Sequence, residues 1–144
     1  MILPDVNLLI HAYNAESPVH GAARAWWEGA LSRPAPPVGL AWAVVLGYIR
    51  LTTHPRVMAR PLPVTTACAH VESWLAQPHV TLVHPGERHA TVLFHLLRTL
   101  GIAGNLTTDA HLAALAMEHQ GDLRTTDADF ARFPGLRWEN PLVR

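Results

Sequence analysis

Apolar and polar positions fall in short blocks along this chain, and the blocks alternate between two periods. Residues 1–4 are a brief apolar run that stops at Asp5. A run that short reads as a buried strand, and its last residue stands at the mouth of a sheet. Helical spacing then predicts a short helix over 6–13. Ser17 as a cap and Pro18 as first residue open a second helix over 18–31, in which Trp26 and Trp27 are adjacent and cannot both face one core. A Pro-rich loop follows over 32–37, and residues 38–40 form a second apolar strand ending near Trp42.

The same alternation continues. A helix is predicted over 42–53, a loop with three prolines over 54–63, and a helix from Thr65 or Thr66 through about Ala76. Val80-Thr81-Leu82-Val83 reads as a third strand and 87–100 as a helix with Val92, Leu93, Leu96 and Leu97 inward. Gly101 and Gly104 mark a loop. A further helix begins near Asp109 and stops at Gly121. Residues 122–126 form a short strand, and 136–138 a possible last one. Strands alternating with helices predict an α/β fold with a central parallel sheet of four to five strands and helices on both faces. No repeat and no second domain is visible, so residues 1–144 read as one domain.

Composition adds limits. Eleven basic residues balance eleven acidic ones in 144 residues, so bulk charge argues for no nucleic-acid partner. Every basic residue is Arg, the better fork for phosphate. Cys68 stands alone, which excludes an internal disulfide and a paired-cysteine metal knuckle; it is expected to fill core space. The ten His make no zinc-hydrolase helix motif, and 101–104 is no phosphate loop. No signal peptide or membrane-spanning run is read, so the expectation is a cytoplasmic protein with no membrane association.

Four of the five Asp fall where strands or loops deliver them to one edge: Asp5, Asp109, Asp127 and Asp129. Each has a structural reading alone. Asp5 can cap its helix, Asp109 suits a first helical turn, and Asp127 and Asp129 can cap or form turns. Together they are harder to explain, since two carboxylates about 4 Å apart repel by roughly 4 kcal/mol at an effective dielectric near 20. A cation relieves that cost, and an oxygen-only set favours Mg²⁺ or Mn²⁺. Such an ion suits hydrolysis of a phosphodiester.

On these acids the chain resembles the PIN-domain ribonucleases, specifically the VapC toxins of type II toxin–antitoxin systems. The matching segments are Leu3-Pro-Asp5-Val-Asn7-Leu-Leu-Ile, Leu46-Gly-Tyr-Ile-Arg50-Leu-Thr-Thr-His-Pro, Asn105-Leu-Thr-Thr-Asp109-Ala-His-Leu-Ala-Ala-Leu-Ala and Thr125-Thr-Asp127-Ala-Asp-Phe130. They span nearly the whole chain, and their ordered set is more specific than any one of them. The resemblance implies a three-layer α/β/α sandwich and a Mg²⁺- or Mn²⁺-dependent endoribonuclease. It also implies a cognate antitoxin, a toxin homodimer and a larger toxin–antitoxin hetero-oligomer. Asp5, Asp109 and Asp127 take the catalytic acidic positions, with Asp5 and Asp109 as metal ligands.

One departure stands out. Many members carry a Glu one turn before the Arg on the helix read over 42–53. Here that residue is Gly47, with Arg50 kept. This leaves the pocket an acid short unless Asp129 compensates, and predicts one metal per subunit. The alternative is a catalytically weakened module that binds RNA or antitoxin. An aspartate-nucleophile phosphotransferase using Asp5 would want an acid two residues on, where Asn7 stands. His111 is expected to be a satisfied helix residue, Trp26 and Trp27 to serve packing or a partner, and Arg50, Arg56 and Arg60 to lie near the pocket mouth.

Overall fold

The computed structural model describes residues 1–143. Five strands, β1 (Ile2–Pro4), β2 (Val38–Ala41), β3 (Val80–Val83), β4 (Asp122–Arg124) and β5 (Trp138–Glu139), form one sheet in the order β3-β2-β1-β4-β5. All pairings are parallel. β1 is central and wholly buried, as its apolar run requires, because a parallel strand is covered on both faces.

Six helices complete the fold: α1 (Val6–Tyr13), α2 (His20–Ser32), α3 (Trp42–Thr52), α4 (Val64–Leu75), α5 (His89–Leu100) and α6 (Thr107–Glu118). Handedness assigns their layers. The chain steps from β1 to β2 to β3 in one direction, then returns past β1 to β4. Right-handed crossovers therefore put α1 to α4 on one face and α5 and α6 on the other. The architecture is the expected three-layer α/β/α sandwich. The return creates a topological switch between β1 and β4, and sites in open α/β sheets form at the carboxyl ends of the strands there.

Packing explains the departures in detail. α2 starts at His20 rather than Pro18, because Ser17 is used in a turn: its Oγ accepts the Val19 N–H at 3.2 Å and pairs with His11 Nδ1 at 2.7 Å. β4 ends at Arg124, two residues early; the Thr125 N–H still donates to the Glu139 carbonyl at 3.1 Å, while its hydroxyl donates to Asp5. The last strand lies at Trp138–Glu139, set by its pairing with Leu123 and Arg124. Trp27 is buried while Trp26 is half-buried beside it. Cys68 is half-buried and not in the core. The buried face of α4 is Ala67, Val71 and Trp74, and residue 68 lies 100° round the helix from 67. Gly121 is required by a close approach: a Cβ there would overlap Leu3 Cδ1, so the turn after α6 rests directly on β1.

Candidate acidic site

The site is built from the carboxyl ends of β1 and β4. Their register pairs Ile2 with Asp122 and Pro4 with Arg124, which sets Asp5 level with Thr125. The Asp5 N–H donates to the Arg124 carbonyl at 2.8 Å. Asp5 is 5% exposed. Its Oδ1 accepts the Val6 N–H at 2.7 Å, which caps α1, and its Oδ2 accepts the Thr125 hydroxyl at 2.7 Å. The structural and functional readings of Asp5 therefore coexist, since each carboxylate oxygen keeps a further lone pair.

Thr125 was not singled out from the sequence, and it is the joint of the site. It is fully buried. While donating to Asp5, its Oγ1 accepts the Asp127 N–H at 3.0 Å. Asp127 Oδ1 in turn accepts the Asp129 N–H at 2.8 Å. A single chain of hydrogen bonds thus runs Asp5, Thr125, Asp127, Asp129. Threonine two residues before an aspartate at a strand end was the available signal; its partner is 120 positions away.

Asp109 enters from the other side, in the first turn of α6 and half-buried. Its pKa is pushed up to about 6, by burial first and then by the carboxylates of Asp5, Asp127 and Asp129. Asp5 is also raised, chiefly by burial, against the hydrogen bonds from Thr125 and Val6, with Asp127 adding repulsion. The four acids therefore share one electrostatic field. They do not stand as a ready-made cage: among the described residues no three His, Cys, Asp or Glu side chains have metal-holding spacing. The donors do fit a hard divalent ion of the Mg²⁺ kind, which is bound through one or two carboxylates and keeps several waters.

Other candidates have surroundings of their own. His111 Nδ1 lies 2.9 Å from His89 Nε2, a satisfied helix histidine as expected. Arg60 lines a separate cleft with Tyr13, Glu16 and Thr52. Arg50 sits in the last turn of α3, about 12 Å along the helix from the strand end that starts it. Arg60 is thus placed in that cleft, while Arg50 follows Gly47 by one turn on α3. Gly47 lies against the first residue of α1: a Cβ on it would meet Val6 Cγ2 at 3.4 Å. The place of the missing acid is thus next to Asp5 in space, although the two are far apart in the chain.

A strand-end acid cluster at the switch of a β3-β2-β1-β4-β5 sheet defines a class, and comparison agrees. The PIN domain model matches residues 2–136. The chain is 42% identical over 142 residues to the ribonuclease VapC33 of Mycobacterium tuberculosis, covering 99% of each. It is 44% identical over 141 residues to the ribonuclease VapC37 of the same species, covering 98% of this chain and 97% of that one. It belongs to the VapC family of PIN-domain proteins. Two solved structures share the fold. VapC20 of M. tuberculosis, a toxin that cleaves the sarcin-ricin loop, aligns with TM-score 0.65 at 21% identity over 95% of this chain and 99% of that one. VapBC2 of Rickettsia felis, bound to a DNA fragment from its promoter, aligns with TM-score 0.70 at 17% identity, covering 97% and 98%.

Proposed function

We propose that this chain is the toxin of a type II toxin–antitoxin pair, an endoribonuclease that hydrolyses RNA phosphodiester bonds with Mg²⁺ or Mn²⁺ and is held inactive by a cognate antitoxin. The observation that carries it is the placement of four acids at one sheet edge, Asp5, Asp127 and Asp129 joined through Thr125 by hydrogen bonds and Asp109 pushed up to about 6 by burial and then by the other three. A buried, strongly perturbed group with named charge partners is a functional-site candidate.

Asp5 and Asp109 are the proposed metal ligands, and Asp127 completes the catalytic set. When bound, the ion supplies an activated water and offsets charge on the phosphate. The protein's part is placement. Thr125 fixes the orientation of the Asp5 carboxylate and, through the Asp127 amide, the distance between the two acids. The α1 amide of Val6 holds the other Asp5 oxygen. Exposed Trp42 and Leu46, one turn apart on α3, supply apolar surface for the proposed homodimer or antitoxin contact.

Asp5→Ala is expected to abolish both growth arrest in cells and metal-dependent RNA cleavage by the purified protein; undiminished toxicity refutes the mechanism. Gly47 favours a second reading, an RNA- or antitoxin-binding module short of one acid. Cleavage of a structured RNA by the purified wild type, present with Mn²⁺ and absent with EDTA, decides between them. The missing acid also implies one metal per subunit, and a calorimetric Mn²⁺ titration showing two tight sites overturns that.

A further inference from the structure

Charge is unevenly spread along this chain. Residues 29–71 carry Arg33, Arg50, Arg56 and Arg60 and no Asp or Glu. Elsewhere arginines are matched by carboxylates: Arg24 pairs with Glu28, Arg124 with Glu139 and Arg137 with Asp122. Arg50, Arg56 and Arg60 are all exposed, and no ion pair among the described residues uses any of them. Their backbone is nonetheless fixed. After α3, the Val57 and Met58 amides donate to the His54 carbonyl at 3.1 and 3.0 Å, and the Arg56 amide donates to His54 Nδ1 at 3.0 Å. The Leu62 amide returns to the Thr52 carbonyl at 2.8 Å, and Pro55, Pro61 and Pro63 hold their φ angles.

The unmatched charges begin near the acids. Asp5 Oδ1 is held by the Val6 amide, and Val6 is the side chain that a Cβ on Gly47 would meet at 3.4 Å. Arg50 is three residues on, so it shares a side of α3 with Gly47, about 5 Å further along. Thr52 follows, and it lines a cleft of about 200 Å³ with Tyr13, Met58 and Arg60. Glu16 also lines that cleft, yet makes no ion pair with Arg60. A line of free guanidinium groups thus starts one turn from the residue that packs on Val6 and runs along α3 into the loop behind it. A polyanion crossing the acidic edge is repelled there, and cations to one side offset the repulsion. Guanidinium matches phosphate in particular, and groups on an ordered loop lose less freedom when they bind.

We infer that Arg50, Arg56 and Arg60 form a phosphate track that carries the RNA strand from the acidic edge along α3 and its following loop. This rests on the ribonuclease reading and fixes the side of the molecule that the strand follows. The contacts go to phosphates, so the track positions the strand without reading its bases.

The test is fluorescence anisotropy of a short labelled single-stranded RNA across a range of salt, with the full chain in EDTA, where binding is read without cleavage. Each of Arg50→Gln, Arg56→Gln and Arg60→Gln should weaken binding several-fold and lower the salt slope by about 0.7, and the triple variant should lower it by about 2. The lysine versions should keep the slope, because a point charge still meets phosphate. Arg33→Gln is the control. It removes the same charge from the same stretch, but Arg33 lines a cavity with Ile2, at the start of β1 and the far end of the sheet, so its slope should match the wild type. Melting curves confirm that each variant folds. Equal slopes for the wild type and the triple variant, while the wild type still cuts RNA, overturn the track and leave the ribonuclease standing. A fall in Arg33→Gln as large as in the other three also overturns it, since only total charge would then count. Loss of antitoxin retention by the triple variant with its salt slope intact does the same, giving the loop to an acidic protein segment. A wild type that neither binds nor cuts RNA removes the ribonuclease reading and the track with it.

Discussion

Two regions of this molecule bury polar groups, and they do so in opposite ways. Between α1, α3 and α4, Tyr13, Tyr48, His70 and Trp74 form an aromatic knot whose polar atoms are matched. The Tyr48 hydroxyl and His70 Nδ1 are 2.7 Å apart, and Trp74 Nε1 donates to the Tyr13 hydroxyl at 2.8 Å. Burial raises the Tyr48 pKa and lowers that of His70, so both are held neutral. At the sheet edge, four acids are held near one another with no cationic partner among the hydrogen bonds they make. The knot is satisfied and serves stability. The edge is in conflict, and conflict that a fold retains points to work done there.

The sharpest way to break that comparison is to cut each region and watch two readouts. Trp74→Ala should lower unfolding free energy by about 3–5 kcal/mol, measured by urea denaturation. Asp5→Asn should hold or raise the melting temperature while RNA cleavage falls to background. The Thr125 hydroxyl can accept as well as donate, so it keeps a contact with the amide, while one repelling charge is gone. A marked loss of stability in Asp5→Asn would mean that the acids are structural.

Acidity should separate the regions next. Asp109 has its folded pKa raised from 3.8 to about 6. The stability it contributes is therefore fully present below 3.8 and is lost as pH rises through about 6. Melting the protein in EDTA should show the wild type gaining on Asp109→Asn between about pH 7 and about pH 5. Mn²⁺ affinity should fall over the same interval, because a protonated carboxyl is a poor ligand. Parallel pH profiles for the two proteins would show that Asp109 does not feel the other acids.

Smaller effects sharpen the picture. Tyr48→Phe removes one matched hydrogen bond and should cost about 1 kcal/mol, with cleavage unchanged. Gly47→Ala should gain roughly 0.5–1 kcal/mol of helix stability, since its Cβ would meet Val6 at an ordinary 3.4 Å. A loss there would show that the glycine is needed for packing rather than marking an absent acid.

Much of the scaffold was legible in the sequence because local signals determine it. Val80–Val83 is a strand at the predicted boundaries, and Asp5 follows the central strand as its apolar lead-in requires. Asp109 and Asp127 were legible as acids at element boundaries. Thr125 was not, because its role depends on which residue of β1 it faces, and register between strands so distant leaves no local mark. The cleft that Arg60 lines was not legible for a related reason: proximity in sequence to a helix end says nothing about which neighbours that end meets. Trp26 was noticed, but the cavity it lines with Arg124 and Glu139 depends on strands about 100 residues further along the chain.

The position of β1 carries a consequence for biosynthesis. Its two neighbours begin at Val38 and Asp122, and the hydroxyl that orients Asp5 arrives 120 residues after it. Pairings that distant form late, after most of the chain is available. A nascent polypeptide interrupted before Thr125 thus carries Asp5 without the hydroxyl that orients it, and the acidic edge cannot assemble until β4 and Thr125 have been made.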